Sequence, residues 1–269
     1  MADSLRIIVA AHKSYPMPED PAYLPIQVGA AGKQSIGFAR DDEGDNISDK
    51  NNSYCELTGL YYAWKNLDAK ALGLVHYRRH FAAPIGEENE EIAVGDRRIG
   101  GILKGSTAEK LLEEADVIVP RKRRYFIESL FSHYGNTLDH NHLVMVREII
   151  AKRDPEIIPV LDQVYSRTWG YMFNMFIMPA GLVSDYCGWL FPLLEELEGM
   201  LPEAKNAFEG RVCGRVSEIL FNVWLENKKK TGIRIRELGI IYTEPVNWPK
   251  KIKAFLAAKF RGVKYKESF

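Results

Sequence analysis

Cysteine is scarce and scattered: Cys55, Cys187 and Cys213 lie far apart, with no Cys-x-x-Cys pair. That argues against a disulfide frame or a zinc site and fits a reducing compartment. The start, Met1-Ala2-Asp3-Ser4-Leu5-Arg6, lacks the basic region and apolar core of a signal peptide. No apolar run approaches the ~18 residues of a membrane-spanning helix. These absences predict a cytoplasmic protein. Neither sign of charge is in excess, since Lys+Arg and Asp+Glu balance at 36 each, and no global field points to nucleic acid as a partner. Internal repeats and low-complexity linkers are missing. So are the phosphate-binding GxxxxGK[ST], the dinucleotide GxGxxG, the zinc HExxH and the nucleophile GxSxG. Also missing is an Asp-x-Asp after an apolar strand, the pair that presents Mg²⁺ or Mn²⁺ to a nucleotide diphosphate.

What remains is an ordinary globular composition, 46% hydrophobic and 27% charged over 269 residues, enough for one large or two small domains. Leu5–Ala11 reads as a buried first strand and 24–29 as a second extended segment. The polar loop 41–52 is full of turn formers, and its last Asn or Ser residues are placed to cap a helix from Tyr54 to Asn66. A strand over 72–75 follows. Residues 84–105 read as an insertion or mobile loop, and Ser106 to Glu109 has capping-box spacing. Further expectations are a strand at 116–120, a helix at 141–153, an apolar strand from Tyr171 to Met178, and helices at 182–198 and 217–227. Strands that alternate with helices predict an α/β sandwich around a mixed, mostly parallel sheet. A single domain over 1–247 is expected, with a distinct extension over 248–269. That tail is basic, and Ile252, Phe255, Leu256 and Phe260 fall near helical spacing. It fits a membrane-surface helix or a terminal helix docked on its own domain.

The richest segment is Leu74-Val75-His76-Tyr77-Arg78-Arg79-His80-Phe81, a strand end loaded with fixed positive charge. In α/β proteins ligands sit beyond the strand carboxyl ends, and arginine forks suit phosphate. Oxygen-ligated metals want carboxylates, which this cluster does not offer, so its cations can neutralise a leaving diphosphate directly. The alternative is a surface ion-pair network. Gly44-Asp45-Asn46-Ile47-Ser48, with Asn51, Asn52 and Glu56, offers partners for ribose, base or sugar hydroxyls, or is an Asx-rich turn. Asn174 stands alone in an apolar strand, where it either ties down a loop or meets a polar ligand. Glu218, in the run Arg211-Val212-Cys213-Gly214-Arg215, is expected in the first turn of a helix that Gly214 or Ser217 opens. The helix dipole would stabilise its anion there, as a general base requires and as many helix-starting acids show. His133, His140 and His142 surround Tyr134 and Asp139, with no clear third ligand for a metal.

The order of these segments resembles a family of bacterial capsular and exopolysaccharide synthesis proteins, long catalogued as a domain of unknown function and regarded as glycosyltransferases of the GT-A type. The resemblance rests on 9–13, 44–48, 54–58, 62–66, His76-Tyr77-Arg78-Arg79 with the preceding Gly73-Leu74-Val75, 115–120, Phe173-Asn174-Met175-Phe176-Ile177-Met178, and Ser217-Glu218. It implies a GT-A-like, Rossmann-like domain over 1–247. It further implies a nucleotide-sugar donor, UDP-linked, and a glycan or polyprenyl-linked acceptor at the inner face of the plasma membrane. Glu218 would be the catalytic base of an inverting transfer. His12, Lys13, Asp45, Asn46, Asn52, His76, Arg78 and Arg79 would bind the donor, and Asn174, His133, Tyr134 and Arg211 the sugar or acceptor. No cofactor and no metal are expected. Galactofuranose is allowed as donor sugar, but no residue selects it. The alternatives are a retaining enzyme using Mg²⁺ or Mn²⁺ with Asp116 or Asp45 as ligand, or a non-catalytic binding subunit of a polysaccharide assembly complex.

Overall fold

The computed structural model describes residues 3–84, 99–202, 204 and 206–244. The chain runs through β1 (Asp3–Ala11), β2 (Tyr23–Gln27), β3 (Ala39–Arg40), α1 (Asn51–Tyr54), α2 (Leu57–Asn66), β4 (Ala69–His76) and β5 (Arg79–Phe81). Then come α3 (Gly105–Glu114), β6 (Val117–Pro120), β7 (Arg123–Arg124), α4 (Leu130–Thr137), α5 (Asn141–Arg153) and α6 (Ile158–Ser166). The chain continues through β8 (Trp169–Gly170), β9 (Phe176–Pro179), α7 (Ala180–Met200), α8 (Ala207–Gly210), α9 (Val212–Lys229), β10 (Ile235–Leu238) and β11 (Ile240–Tyr242).

One mixed sheet organises the domain, in the order β10-β6-β9-β4-β1-β2-β3, with β5 joining β4 to β11. The longer ladders are parallel, β1 against β2 and β4, while β9 runs antiparallel between β4 and β6. Because side chains alternate along a strand, β1 feeds two cores. Ile8 and Ala10 meet α2, α7 and α9 on one face. Leu5, Ile7, Val9 and Ala11 meet Ala108 of α3 on the other. Burial on both faces makes β1 one continuous apolar run, as parallel strands are.

Several boundaries differ from the sequence expectation. The helix over 54–66 is two helices, because Cys55 takes φ 54° and breaks it. No side chain of the polar loop caps α1. Helix α3 begins at Gly105, whose N–H donates to Asp20 Oδ2 at 2.9 Å, so a distant aspartate replaces the expected Ser106 capping box. The strand over 171–178 shrinks to β9, since Phe173 and Asn174 both have positive φ, 78° and 52°. Residues 85–98 of the expected insertion, and the 247/248 boundary with its basic tail, lie outside the described residues.

The polar loop 41–52 has its own anchor. Asp41 is fully buried and accepts from Gly29 N at 2.8 Å, Ala30 N at 2.9 Å, and the hydroxyls of Ser48 and Thr58. Gly29 turns there at φ 61°, and a Cβ would meet Asn51 at 2.5 Å. One carboxylate thus ties the end of β2 to α2. Asp41→Ala would orphan these donors and is expected to cost about 3 kcal/mol in urea unfolding. A loss under about 1 kcal/mol would contradict this role.

Candidate active site

The break at Cys55 decides where Glu56 goes. Turning the chain between α1 and α2 leaves Glu56 buried and facing a cavity of about 970 Å³ beyond the carboxyl ends of β1 and β4. Gly214 of α9 lies against the same break, where a Cβ would meet Cys55 Sγ at 2.9 Å and Tyr54 O at 3.2 Å. Helix α9 therefore approaches closely enough to bring Glu218 to the same cavity.

Both glutamates grip one turn. Glu218 Oε2 accepts from Phe173 N–H at 3.0 Å, and His76 Nε2 bonds to Phe173 O at 2.7 Å. Asn174 donates to Glu56 Oε1 at 2.6 Å and to Gly214 O at 2.9 Å, and accepts from Ser217 Oγ at 3.1 Å. One step earlier, Asn222 of α9 both accepts from Tyr171 N and donates to Tyr171 O. Left-handed conformations at two successive non-glycine residues are costly and persist only when the surroundings over-determine them. Here the surroundings do.

Burial raises the proton affinity of Glu56, against the opposing bond from Asn174. Burial likewise raises that of Glu218, opposed by the Phe173 N–H and reinforced by the charge of Glu56. His76 lies 3.9 Å from Glu56 Oε1, yet burial and then Arg79 push its pKa down to about 4, so at neutral pH it is uncharged. Burial and Arg78 also lower His12, which packs edge-on against Tyr77 at 5.1 Å.

Cations dominate the remaining wall. Arg78, Arg79, Arg121, Arg123, Arg124, Arg211 and Arg215 all line the cavity. Arg79 and Arg123 share the ring of Phe173, at 4.6 and 5.7 Å, and Arg215 lies 4.0 Å over Phe208. Such stacking orients a guanidinium without neutralising it. Arg78 is held more loosely, 3.6 Å from Glu244, and its Nε is buried without a hydrogen-bond partner. The hairpin that carries it is clipped by β11 and by Thr243, whose hydroxyl donates to Tyr77 O at 3.1 Å. The chemistry of such a wall suits phosphate or diphosphate, beside carboxylates able to take up a proton.

Of the residues singled out in the sequence, His12, Asn52, His76, Arg78, Arg79, His133, Tyr134, Arg211 and Glu218 line this cavity. Four do not. Lys13 pairs with Glu244 at 3.1 Å. Asp45 bonds Tyr61 and Asn66, and Asn46 bonds its own turn, so both belong to the Asx-rich turn of the alternative reading. Asn174 serves as the tie within the turn. Glu218 sits in the second turn of α9, which starts at Val212, so the helix dipole acting at a first turn is not what it feels. Asp116 pairs with Arg234 at 3.1 Å, away from the cavity. His133 bonds Glu128 at 2.8 Å, and Tyr134 bonds His142 at 3.1 Å. Among the described residues, no three of His, Cys, Asp and Glu cluster as around a metal ion. Glu56 and the arginines of 121–124 complete the site. Their signals, a glutamate beside the Asn pair and a basic run after a strand, were visible, but their convergence was not.

The sequence profile of a domain of unknown function, DUF4422, matches residues 6–230. Among solved structures, the apo form of WbbM, described as a bifunctional glycosyltransferase, is similar with a TM-score of 0.82 and 30% identity. The match covers 90% of this chain and 46% of that one, so the chain spans under half of WbbM's length. No curated protein matches. The geometry itself gives a test. A carboxyl whose folded pKa is raised contributes stability that is fully present below its unfolded pKa and is lost as pH rises from there through the folded value. Glu56→Gln is therefore expected to gain thermal stability relative to the native protein as pH rises from about 4.5 to 8. A difference in Tm that stays flat or shrinks over that range would show that Glu56 ionises without penalty.

Proposed function

The chain belongs to the DUF4422 family, and on that premise we propose that it is an inverting glycosyltransferase of polysaccharide synthesis that uses a nucleotide-sugar donor, UDP-linked, without a metal ion. The observation that carries this reading is the joining of a buried carboxylate, Glu56, a half-buried one, Glu218, and an arginine wall in one cavity at the strand carboxyl ends. The likeness to a bifunctional glycosyltransferase supports the reaction class.

In this mechanism Glu218 removes the proton of an acceptor hydroxyl as its oxygen attacks the anomeric carbon. The bond from that carbon to the diphosphate oxygen breaks with its electron pair, and UDP leaves. Arg78 and Arg79 stabilise the charge that grows on the leaving diphosphate, and the stacking of Arg79 on Phe173 holds part of that stabilisation ready in advance. The raised proton affinity of Glu218 suits a base working near neutral pH, since a carboxylate of ordinary pKa would take the proton less readily. Glu56 and Asn174 hold the turn whose N–H points at Glu218, which fixes the base against the reacting hydroxyl.

Glu218→Gln is expected to lower transfer by about 10²–10⁴ while UDP binding stays within about twofold, read by turnover and by calorimetry. Unaltered turnover would remove Glu218 from the base role. Native turnover is expected to persist in EDTA. Activity that EDTA abolishes and Mn²⁺ restores would replace the arginine clamp with a metal.

A further inference from the structure

The cavity holds more positive charge than one diphosphate neutralises. Seven arginines and two glutamates line it. The cations form two groups with different surroundings. Arg78 and Arg79 are partly buried and are braced by Glu244 and by the ring of Phe173. Arg211 and Arg215, also partly buried, contact Cys55 Sγ at 3.2 Å and the Phe208 ring. Arg121 and Arg124, by contrast, are exposed at the mouth, and neither makes a side-chain ion pair, hydrogen bond or ring contact with the described residues. Their neighbour Lys122 turns away to Glu237 at 3.0 Å. Like charges that line one opening repel one another, a cost that an anionic ligand removes.

Beside them stands an apolar tip. Phe126 is 79% exposed and Ile127 52%, the two most exposed large apolar side chains among the described residues. A tight turn presents them: Ile127 N–H donates to Tyr125 O at 2.6 Å, with Phe126 at φ 56°. Phe126 also lines the cavity, so the tip and the arginines border the same opening. An exposed Phe–Ile pair in a left-handed turn loses apolar burial and carries backbone strain, which a ligand's hydrocarbon would offset.

We propose that Arg121 and Arg124, with Phe126 and Ile127, form a second anion subsite for the phosphate group of an amphiphile. Its phosphate lies on the arginines and its apolar chain on the tip. This subsite rests on the glycosyltransferase reading, in which Arg78 and Arg79 hold the donor and the amphiphile stands on the acceptor side.

Calorimetry on the full chain tests it with three probes: UDP, inorganic pyrophosphate and farnesyl diphosphate. Protein saturated with UDP is expected still to bind farnesyl diphosphate, and more tightly than pyrophosphate. Arg121→Gln with Arg124→Gln should weaken farnesyl diphosphate by about tenfold or more, and by a clearly larger factor than it weakens UDP. Phe126→Ser with Ile127→Ser should weaken farnesyl diphosphate and spare pyrophosphate. These side chains are exposed, so the variants keep the fold, and an unchanged Tm verifies that. Displacement of farnesyl diphosphate by UDP, or binding indifferent to the arginine variant, overturns the subsite. Pyrophosphate binding as tightly as farnesyl diphosphate overturns the amphiphile in favour of free phosphate. Absence of UDP binding, with farnesyl diphosphate still dependent on Arg121 and Arg124, would defeat the donor reading and leave the subsite standing.

Discussion

The site depends on a turn that the local sequence would not choose. Phe173 and Asn174 sit in left-handed conformations, held by hydrogen bonds from elements far apart in the chain: Glu56 before α2, His76 at the end of β4, and Gly214, Ser217 and Glu218 on α9. The dependence is mutual. The turn supplies donors that make the withdrawal of two carboxylates from water tolerable, and the carboxylates supply the acceptors that make the turn tolerable. The Phe173 ring is carried along, which fixes where Arg79 and Arg123 can stack.

The same logic explains how a chain of balanced charge contains a strongly cationic cavity. Lys+Arg and Asp+Glu are equal overall, so positive charge gathered in one place leaves an acidic surplus elsewhere. A cleft lined by one sign of charge focuses the field more strongly than the same charges spread over a surface. Ligand capture by such a cleft is sensitive to ionic strength, because screening acts within about 10 Å at 0.1 M salt.

Much of the sheet was legible in the sequence because apolar runs bounded by turn residues are short-range signals. Helix α5 matches its expected limits and β1 its expected core. Also legible was the charge at His76–Arg79, since it follows a buried strand directly. The breaks were not. Nothing in Tyr54-Cys55-Glu56 announces φ 54° at a cysteine, which follows from the approach of Gly214 a long way down the chain. The run from Tyr171 to Met178 has the composition of a strand, and only the grip of Glu56, Glu218 and Asn222 makes its first half a loop. Asn174 and Asp45 carried the right chemistry for a sugar site and were spent on structure instead. Residue type alone cannot separate those uses, because both need the same hydrogen-bonding capacity.

The clip on the arginine hairpin has a consequence for the order in which the molecule matures. Strand β11 pairs with β5, Thr243 bonds Tyr77 across 166 residues, and Glu244 reaches both Lys13 and Arg78. A chain emerging from the ribosome can pair β1, β2 and β4 early, since those strands lie within its first third. Closing the hairpin against β11 must wait until residues near 244 have been made, and contacts of such long sequence separation form slowly. The early strands can therefore pair before the arginine hairpin is clipped, and that clip is among the last contacts to form.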